Sequence, residues 1–379
     1  MLRREDALEI VRRFREAGGR RDVAALRDLY ADDAVAISPV FGEVRGGDAI
    51  AATWGTMFTT FADIMIDISD VLVDDDRLAI LGRISATDRV GWFGLRPTGS
   101  RIDYRIVLLL TMNAQRKIVR DERIYDNSGV IERLEKARID KELRTAADVQ
   151  RALLPRTAYA SRFCEVVGHS IPCRAIGGDF FEFAELPSGG VAVAIGDVMG
   201  KGPAAALLAS LLQGMIAVEA PRGSSPAETV TRLNERLAAR DVEARFATLV
   251  YGVISADGAF SYTNAGHNPP VVLTPKGALR LTSGGPILGA FQRAKFDEDR
   301  VALAAGDTVV LFTDGVTEAR SAGDEEFGDE RLLKALAAGA SAAPAMLLTR
   351  TFAAVRDFCG GAEQSDDVTV AVARFLHER

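Results

Sequence analysis

Gly177-Gly178-Asp179-Phe180-Phe181, Gly196-Asp197-Val198-Met199-Gly200-Lys201-Gly202, Thr313-Asp314-Gly315 and Ser365-Asp366-Asp367-Val368-Thr369 are the phrases that decide the fold of this chain. Val191–Ile195 runs into Asp197 and Thr308–Phe312 runs into Asp314, so both acids close an apolar, strand-like run. Asp366 instead opens one, Val368–Val372. If that last strand lies antiparallel to the one ending at Asp314, the two acids share one rim of a sheet. Alone, an Asp-Gly pair is a turn signal. Together the acids punctuate strand ends in a consistent way, and glycine lets backbone approach them closely. Carboxylates buried side by side repel and take up protons, and a binuclear metal site resolves that conflict. Oxygen ligands, only three histidines and no paired cysteines favour hard cations, Mg²⁺ or Mn²⁺.

Six motifs follow one another from Leu153-Leu154-Pro155 onward. They continue with Arg174-Ala175-Ile176-Gly177-Gly178-Asp179, the Asp197 loop, Asn264-Ala265-Gly266-His267-Asn268-Pro269-Pro270, Leu311–Ala319 and Asp366–Thr369. In this order they resemble the SpoIIE-like branch of the metal-dependent type 2C protein phosphatases. The resemblance implies a two-layer β-sandwich flanked by helices, with two Mn²⁺ or Mg²⁺ ions. It implies that Asp197 bridges the metals, that the Val198 carbonyl is a backbone ligand, and that Asp179, Asp314 and Asp366 complete the set. Asp367 follows Asp366 along a strand, so its side chain should face the other way. Arg174, five residues before Asp179, is the candidate phosphate clamp, because guanidinium binds phosphate through two parallel hydrogen bonds. Lys201 stands where family members often have histidine. His267 is read as fixing its turn rather than as a proton donor.

With 379 residues the chain exceeds one core, and 48% hydrophobic residues support packed domains rather than disorder. Lys and Arg number 46 against 53 Asp and Glu, a net charge of −7 with no long basic run. That argues against nucleic acid or an anionic membrane as partner. The charged start Met1–Asp6 lacks a secretory core, and no apolar stretch approaches the ~20 residues of a membrane span. The richest stretch, Ala204–Leu212, reads as a buried helix. Cys164, Cys173 and Cys359 are odd in number and fit reduced thiols. A cytoplasmic protein is expected.

Three segments are expected. Residues 1–129 open with helical spacing (Leu8, Val11, Phe14, then Leu26, Leu29, Tyr30) and continue with strand-like runs at Leu78–Ile84, Ile106–Met112 and Lys117–Ile124. This α+β order, with Tyr30–Val35, Gly46–Ile50 and Asp121–Asp126, resembles SnoaL-like members of the nuclear transport factor 2-like fold, a cone of helices against a curved sheet. Trp54, Phe58, Phe61, Trp92, Phe93, Tyr104 and Tyr125 would line a pocket for a small ligand there, and Asp103, Asp121 and Glu122 are candidates for acid–base work. Sensing or dimerisation is the expected role. Residues 130–154 read as a helical linker with a seam of Ile139, Leu143, Ala146, Gln150 and Leu153 that would make a homodimer. Residues 155–379 alternate strands (near 191–196, 246–255, 258–264, 307–313 and 367–375) with helices (near 203–219, 226–240 and 344–358).

The expected activity is hydrolysis of phosphoserine or phosphothreonine. By family analogy the substrate is a phosphorylated STAS-type anti-sigma-factor antagonist, with the first domain regulatory. Two other readings are a non-catalytic binding module on a phosphatase fold, and small-molecule isomerase or cyclase activity in the first domain.

Overall fold

The computed structural model describes residues 4–155, 158–240 and 246–376, in two compact units, Met1–Glu142 and Leu143–Arg379. The first begins with helices α1 (Arg4–Arg20) and α2 (Val23–Arg27), strands β1 (Tyr30–Ser38) and β2 (Gly42–Arg45), and helix α3 (Gly47–Thr60). Strands β3 (Met65–Asp74), β4 (Arg77–Thr87), β5 (Arg101–Met112) and β6 (Ile118–Ile124) follow, then α4 (Asn127–Leu153). The sheet runs β2-β1-β6-β5-β4-β3, with only β1 and β6 parallel. Along β5, Ile102, Tyr104, Ile106, Leu108 and Leu110 are buried at every second position, the period that gives a sheet one apolar face. That face shares a core with Ile10 and Phe14 of α1 and Trp54 and Phe58 of α3.

Three local expectations change. The helical spacing through Leu29 and Tyr30 ends early: α2 stops at Arg27, and Tyr30 opens β1. The rings expected to line a pocket pack on one another. Phe14 meets Trp54 edge-on at 5.4 Å, Trp92 meets Tyr104 at 5.8 Å, and Tyr104 lies against Tyr125 at 4.8 Å. The three acids also part company. Asp103 pairs with Arg83 and Glu122 with Arg120, both toward the surface, whereas Asp121 is fully buried. Its Oδ2 accepts from the Tyr30 hydroxyl (2.8 Å) and from Arg123 Nε (3.0 Å), and the guanidinium lies 4.4 Å over the Trp54 ring. Asp121 is therefore committed to a structural network, and the acid–base reading loses its candidate.

The second unit contributes β7 (Ala158–Ala160), β8 (Cys164–Ile171), β9 (Phe180–Glu185), β10 (Val191–Val198), α5 (Pro203–Glu219) and α6 (Pro226–Ala238). Next come β11 (Ala247–Ile254), β12 (Ala259–Ala265), β13 (Val271–Thr274), β14 (Gly277–Arg280), β15 (Gly284–Gly285) and β16 (Asp299–Ala302). It closes with β17 (Thr308–Phe312), α7 (Asp314–Thr317), α8 (Gly328–Ala338), α9 (Pro344–Cys359) and β18 (Val368–Phe375). One sheet runs β15-β12-β11-β10-β9, with β16 also on β12; the other runs β14-β13-β17-β18-β8-β7. Val193, Ile195, Val250 and Phe260 of the first meet Val309, Leu311, Ala371 and Ala373 of the second in the central core. The outer face of the first sheet is covered by α5 and α6, and that of the second by α8 and α9. The result is the helix-flanked sandwich that the motif order implied.

Pro203–Arg222 is long and apolar enough to cross a membrane by length and composition, contrary to the expectation of none, and about half of it is buried in the unit. It packs as a core helix. At its end the buried Glu219 carboxylate is gripped by Arg232 (2.9 Å) and Arg236 (2.7 Å) of α6. The α4 seam also divides. Leu143 and Ala147 pack with Ile176 and Ala206 in the second unit, while Ile139, Ala146, Val149 and Leu153 stay exposed. The exposed apolar stripe is thus 139, 146, 149 and 153, and Leu143 and Gln150 belong to the other face.

Asp121 and Arg123 give a direct stability test. Asp121→Ala strands a guanidinium that is 6% exposed, and breaking a buried pair from one side costs about 3–5 kcal/mol. Both tryptophans of the chain, Trp54 and Trp92, lie in this unit, so urea unfolding followed by tryptophan fluorescence should show that loss.

Candidate metal centre

Each sheet supplies two of the acids at one end of the sandwich. Asp179 immediately precedes β9 and Asp197 is the penultimate residue of the paired β10, where Gly196 sits opposite Phe180. In the other sheet β17 and β18 are antiparallel, with Phe312 opposite Val370, so Asp314 follows one strand and Asp366 precedes its neighbour at the same rim. The two rims are tied together by Thr313. Its hydroxyl donates to Asp179 Oδ2 (2.7 Å) and accepts from the Thr369 amide (3.1 Å). The threonine stands in the Thr313-Asp314-Gly315 phrase, yet its role was not legible there, because its partner lies 134 residues earlier.

The acids sense one another. Burial and then Asp197 hold Asp179 well above the usual carboxylate range. Burial, Asp314 and Asp366 push Asp197 up to about 7, and burial and Asp366 raise Asp314. Buried acids keep protons in this way when no cation balances them.

Asp367 is spent differently. Its Oδ1 accepts from the Cys173 amide (2.8 Å) and its Oδ2 from the Gly178 amide (2.7 Å). It ties down the loop that carries Asp179. A Cβ on Gly177 would strike the Asp367 carboxylate, and one on Gly178 would lie 2.8 Å from the Val198 carbonyl oxygen, which accounts for the double glycine. From the opposite side, Gln150 Nε2 donates to the Gly177 carbonyl (2.7 Å) and its Oε1 accepts from the Gly177 amide (3.2 Å). A residue first read as part of a helix seam therefore holds the turn before Asp179.

The other candidates separate clearly. Arg174 is exposed, and no hydrogen bond or ion pair occupies its guanidinium among the described residues. Lys201 Nζ lies 3.0 Å from Asp366 Oδ2 and also donates to the Ser365 carbonyl. His267 is buried, with Nδ1 against Thr248 Oγ1 (2.7 Å) and Nε2 against the Phe312 carbonyl (3.1 Å). Burial lowers it to about 4, so it stays neutral and joins strand ends. Cys173, Asp366 and Asp367 are the group of three ligand side chains whose donor atoms all lie within 4.8 Å among the described residues. Its ligating capacity is poor, since Asp367 serves amides and burial raises the Cys173 thiol to about 11. By donor chemistry Asp179, Asp197, Asp314, Asp366 and the Val198 carbonyl fit hard divalent cations.

The family model for stage II sporulation protein E (SpoIIE) matches residues 187–376, and the model for a SnoaL-like domain matches residues 11–121. Protein IcfG of Synechocystis sp. is 31% identical over 231 residues, which is 53% of this chain and 36% of that protein. Phosphoserine phosphatase RsbU of Bacillus subtilis is 32% identical over 187 residues, 48% of this chain and 55% of that one. The chain therefore spans about a third to a half of these curated relatives. The SiaA-PP2C domain of Pseudomonas aeruginosa has the same fold, with a TM-score of 0.57 at 21% identity, over 64% of this chain and 98% of that domain.

The raised acids give a pH signature. Asp197 titrates near 7 in the fold against 3.8 ordinarily, so between those values the folded chain binds more protons than the unfolded one. Metal-free stability should then fall as pH rises through that window. Mn²⁺ binding should release protons at pH 6 and few at pH 8.5, measured by titration calorimetry in buffers of different ionisation enthalpy.

Proposed function

This chain belongs to the SpoIIE family, and from that premise we propose that it is a metal-dependent serine/threonine phosphoprotein phosphatase. The observation that carries the reading is the placement of four aspartates, two from each sheet, at one end of the sandwich, where partial burial and neighbouring carboxylates raise the pKa values of Asp179, Asp197 and Asp314. Asp179, Asp197, Asp314, Asp366 and the Val198 carbonyl would hold two Mn²⁺ or Mg²⁺ ions. Such cations neutralise a phosphomonoester dianion and acidify water at neutral pH.

The chain's own residues then divide the work. Arg174, exposed and without an ion pair, binds the phosphate oxygens through its fork of donors. Thr313 fixes the orientation of Asp179, and Asp367 and Gln150 fix the loop that carries it. Lys201 offsets part of the charge at Asp366. The binding-module alternative leaves these converging carboxylates without a task, and the isomerase alternative has lost Asp121 to its buried pair.

The substrate we propose is a phosphorylated STAS-type anti-sigma-factor antagonist, in keeping with the similarity to a phosphoserine phosphatase. Residues 1–129 act as the regulatory domain in this reading, 130–154 as linker and 155–379 as phosphatase, in a cytoplasmic homodimer. Helix α4 supports regulation. Its early residues Val130 and Leu134 belong to the first unit's core, and its late residue Gln150 holds Gly177. The exposed stripe of Ile139, Ala146, Val149 and Leu153 is the surface through which two chains would pair.

Turnover of p-nitrophenyl phosphate by the full chain with Mn²⁺ tests the reading. Asp197→Asn should lower kcat by at least about a hundredfold, the scale on which losing one preorganised electrostatic group is felt. Wild-type chain inert with Mn²⁺ and with Mg²⁺ would refute the assignment.

A further inference from the structure

Beside the acid cluster lies a groove of about 270 Å³ between the ends of β8 and β18, helix α9 and the loop 360–366. Ile171, Phe352, Val355 and Val368 give it apolar walls, and Gly315 and Asp366 stand at the side nearest the cluster. One carboxylate, Asp366, thus borders both spaces. The volume is slightly below the roughly 300–1,000 Å³ of pockets that enclose whole small-molecule ligands. It suits one or two side chains. Arg320 and Arg356 also line it, but each is already paired, with Asp324 (2.8 Å) and Asp357 (3.1 Å) respectively. Most of its lining surface is apolar.

We infer that this groove is a substrate subsite that receives a bulky aliphatic or aromatic side chain close in sequence to the phosphorylated serine. The inference rests on the phosphatase reading above and names the kind of segment that reading would accept. A phosphate held at the cluster brings its peptide past Asp366. An extended chain advances about 3.3 Å per residue, so a residue within about three positions of the phosphoserine reaches the groove. The phosphate is common to all phosphoserine substrates and selects none of them. Discrimination must come from flanking contacts, and burial of an apolar side chain in a fitted groove supplies it without any change at the metals.

The test uses the Mn²⁺-loaded full chain and phosphoserine peptides with Leu or Ala at each of the three positions on either side, with p-nitrophenyl phosphate alongside. At one position kcat/KM should favour Leu by at least about tenfold, the lower end of what apolar pocket contacts achieve. Ala362→Trp, on the loop wall of the groove, should bring that ratio close to one. The ratio is internal to each variant, so a general loss of activity does not produce the expected result. Equal kcat/KM for Leu and Ala at every position in the wild type would overturn the subsite. A preference left intact by Ala362→Trp, or replaced by a shift in oligomeric state on sedimentation, would overturn it as well. A wild type inert toward p-nitrophenyl phosphate would instead remove the phosphatase reading on which the subsite depends.

Discussion

Carboxylates crowded at a partly buried strand rim resist joint ionisation, and the second unit places four of them at one such rim. Two acids come from adjacent strand ends of one sheet and two from adjacent strand ends of the other. No single hairpin could deliver all four. The sandwich brings the two rims together, and its apolar interior, with Ile195, Val250, Val309 and Leu311 buried between the sheets, keeps them together. The free energy of packing thereby offsets the cost of holding like charges close.

The polar residues around the acids are fixed from several directions. Thr313 joins Asp179 to the opposite rim, Asp367 gathers the amides of Cys173 and Gly178, and Gln150 holds both backbone groups of Gly177. A loop held in this way has little freedom to drift, which favours a preorganised site. It also follows that the end of α4 is part of the site's support. Whatever alters the last turns of that helix alters the turn before Asp179.

Much of this was legible in the sequence, for physical reasons that can be named. The strands ending at Asp197 and Asp314 announced themselves as uninterrupted apolar runs, because both faces of those strands are covered. The antiparallel partnership of β17 and β18 followed from acids placed at opposite ends of their runs. The sequence pattern does not disclose strands β1 to β3, β7 to β9 and β13 to β16. In β9 a short run interrupted by Glu182 and Glu185 carries little periodic signal, although the buried Phe180, Phe181 and Phe183 make it central. At Tyr30 a spacing of three or four cannot distinguish a helix from the start of a strand after a short turn. The seam on α4 failed similarly. Two apolar stripes run along one helix, and only tertiary packing decides that Leu143 and Ala147 turn inward while Ile139 and Leu153 remain exposed. Thr313, Asp367 and Gln150 were invisible as site residues because their partners are distant in sequence.

In the proposed reading Asp179, Asp197, Asp314 and Asp366 form one binuclear centre. Crystals of the chain grown with Mn²⁺, with data collected at the manganese edge, test it most directly. Two anomalous peaks about 3.5–4 Å apart, both within bonding distance of Asp197, are the predicted result. No peak among the four acids, or a single peak at Cys173, Asp366 and Asp367, would contradict it.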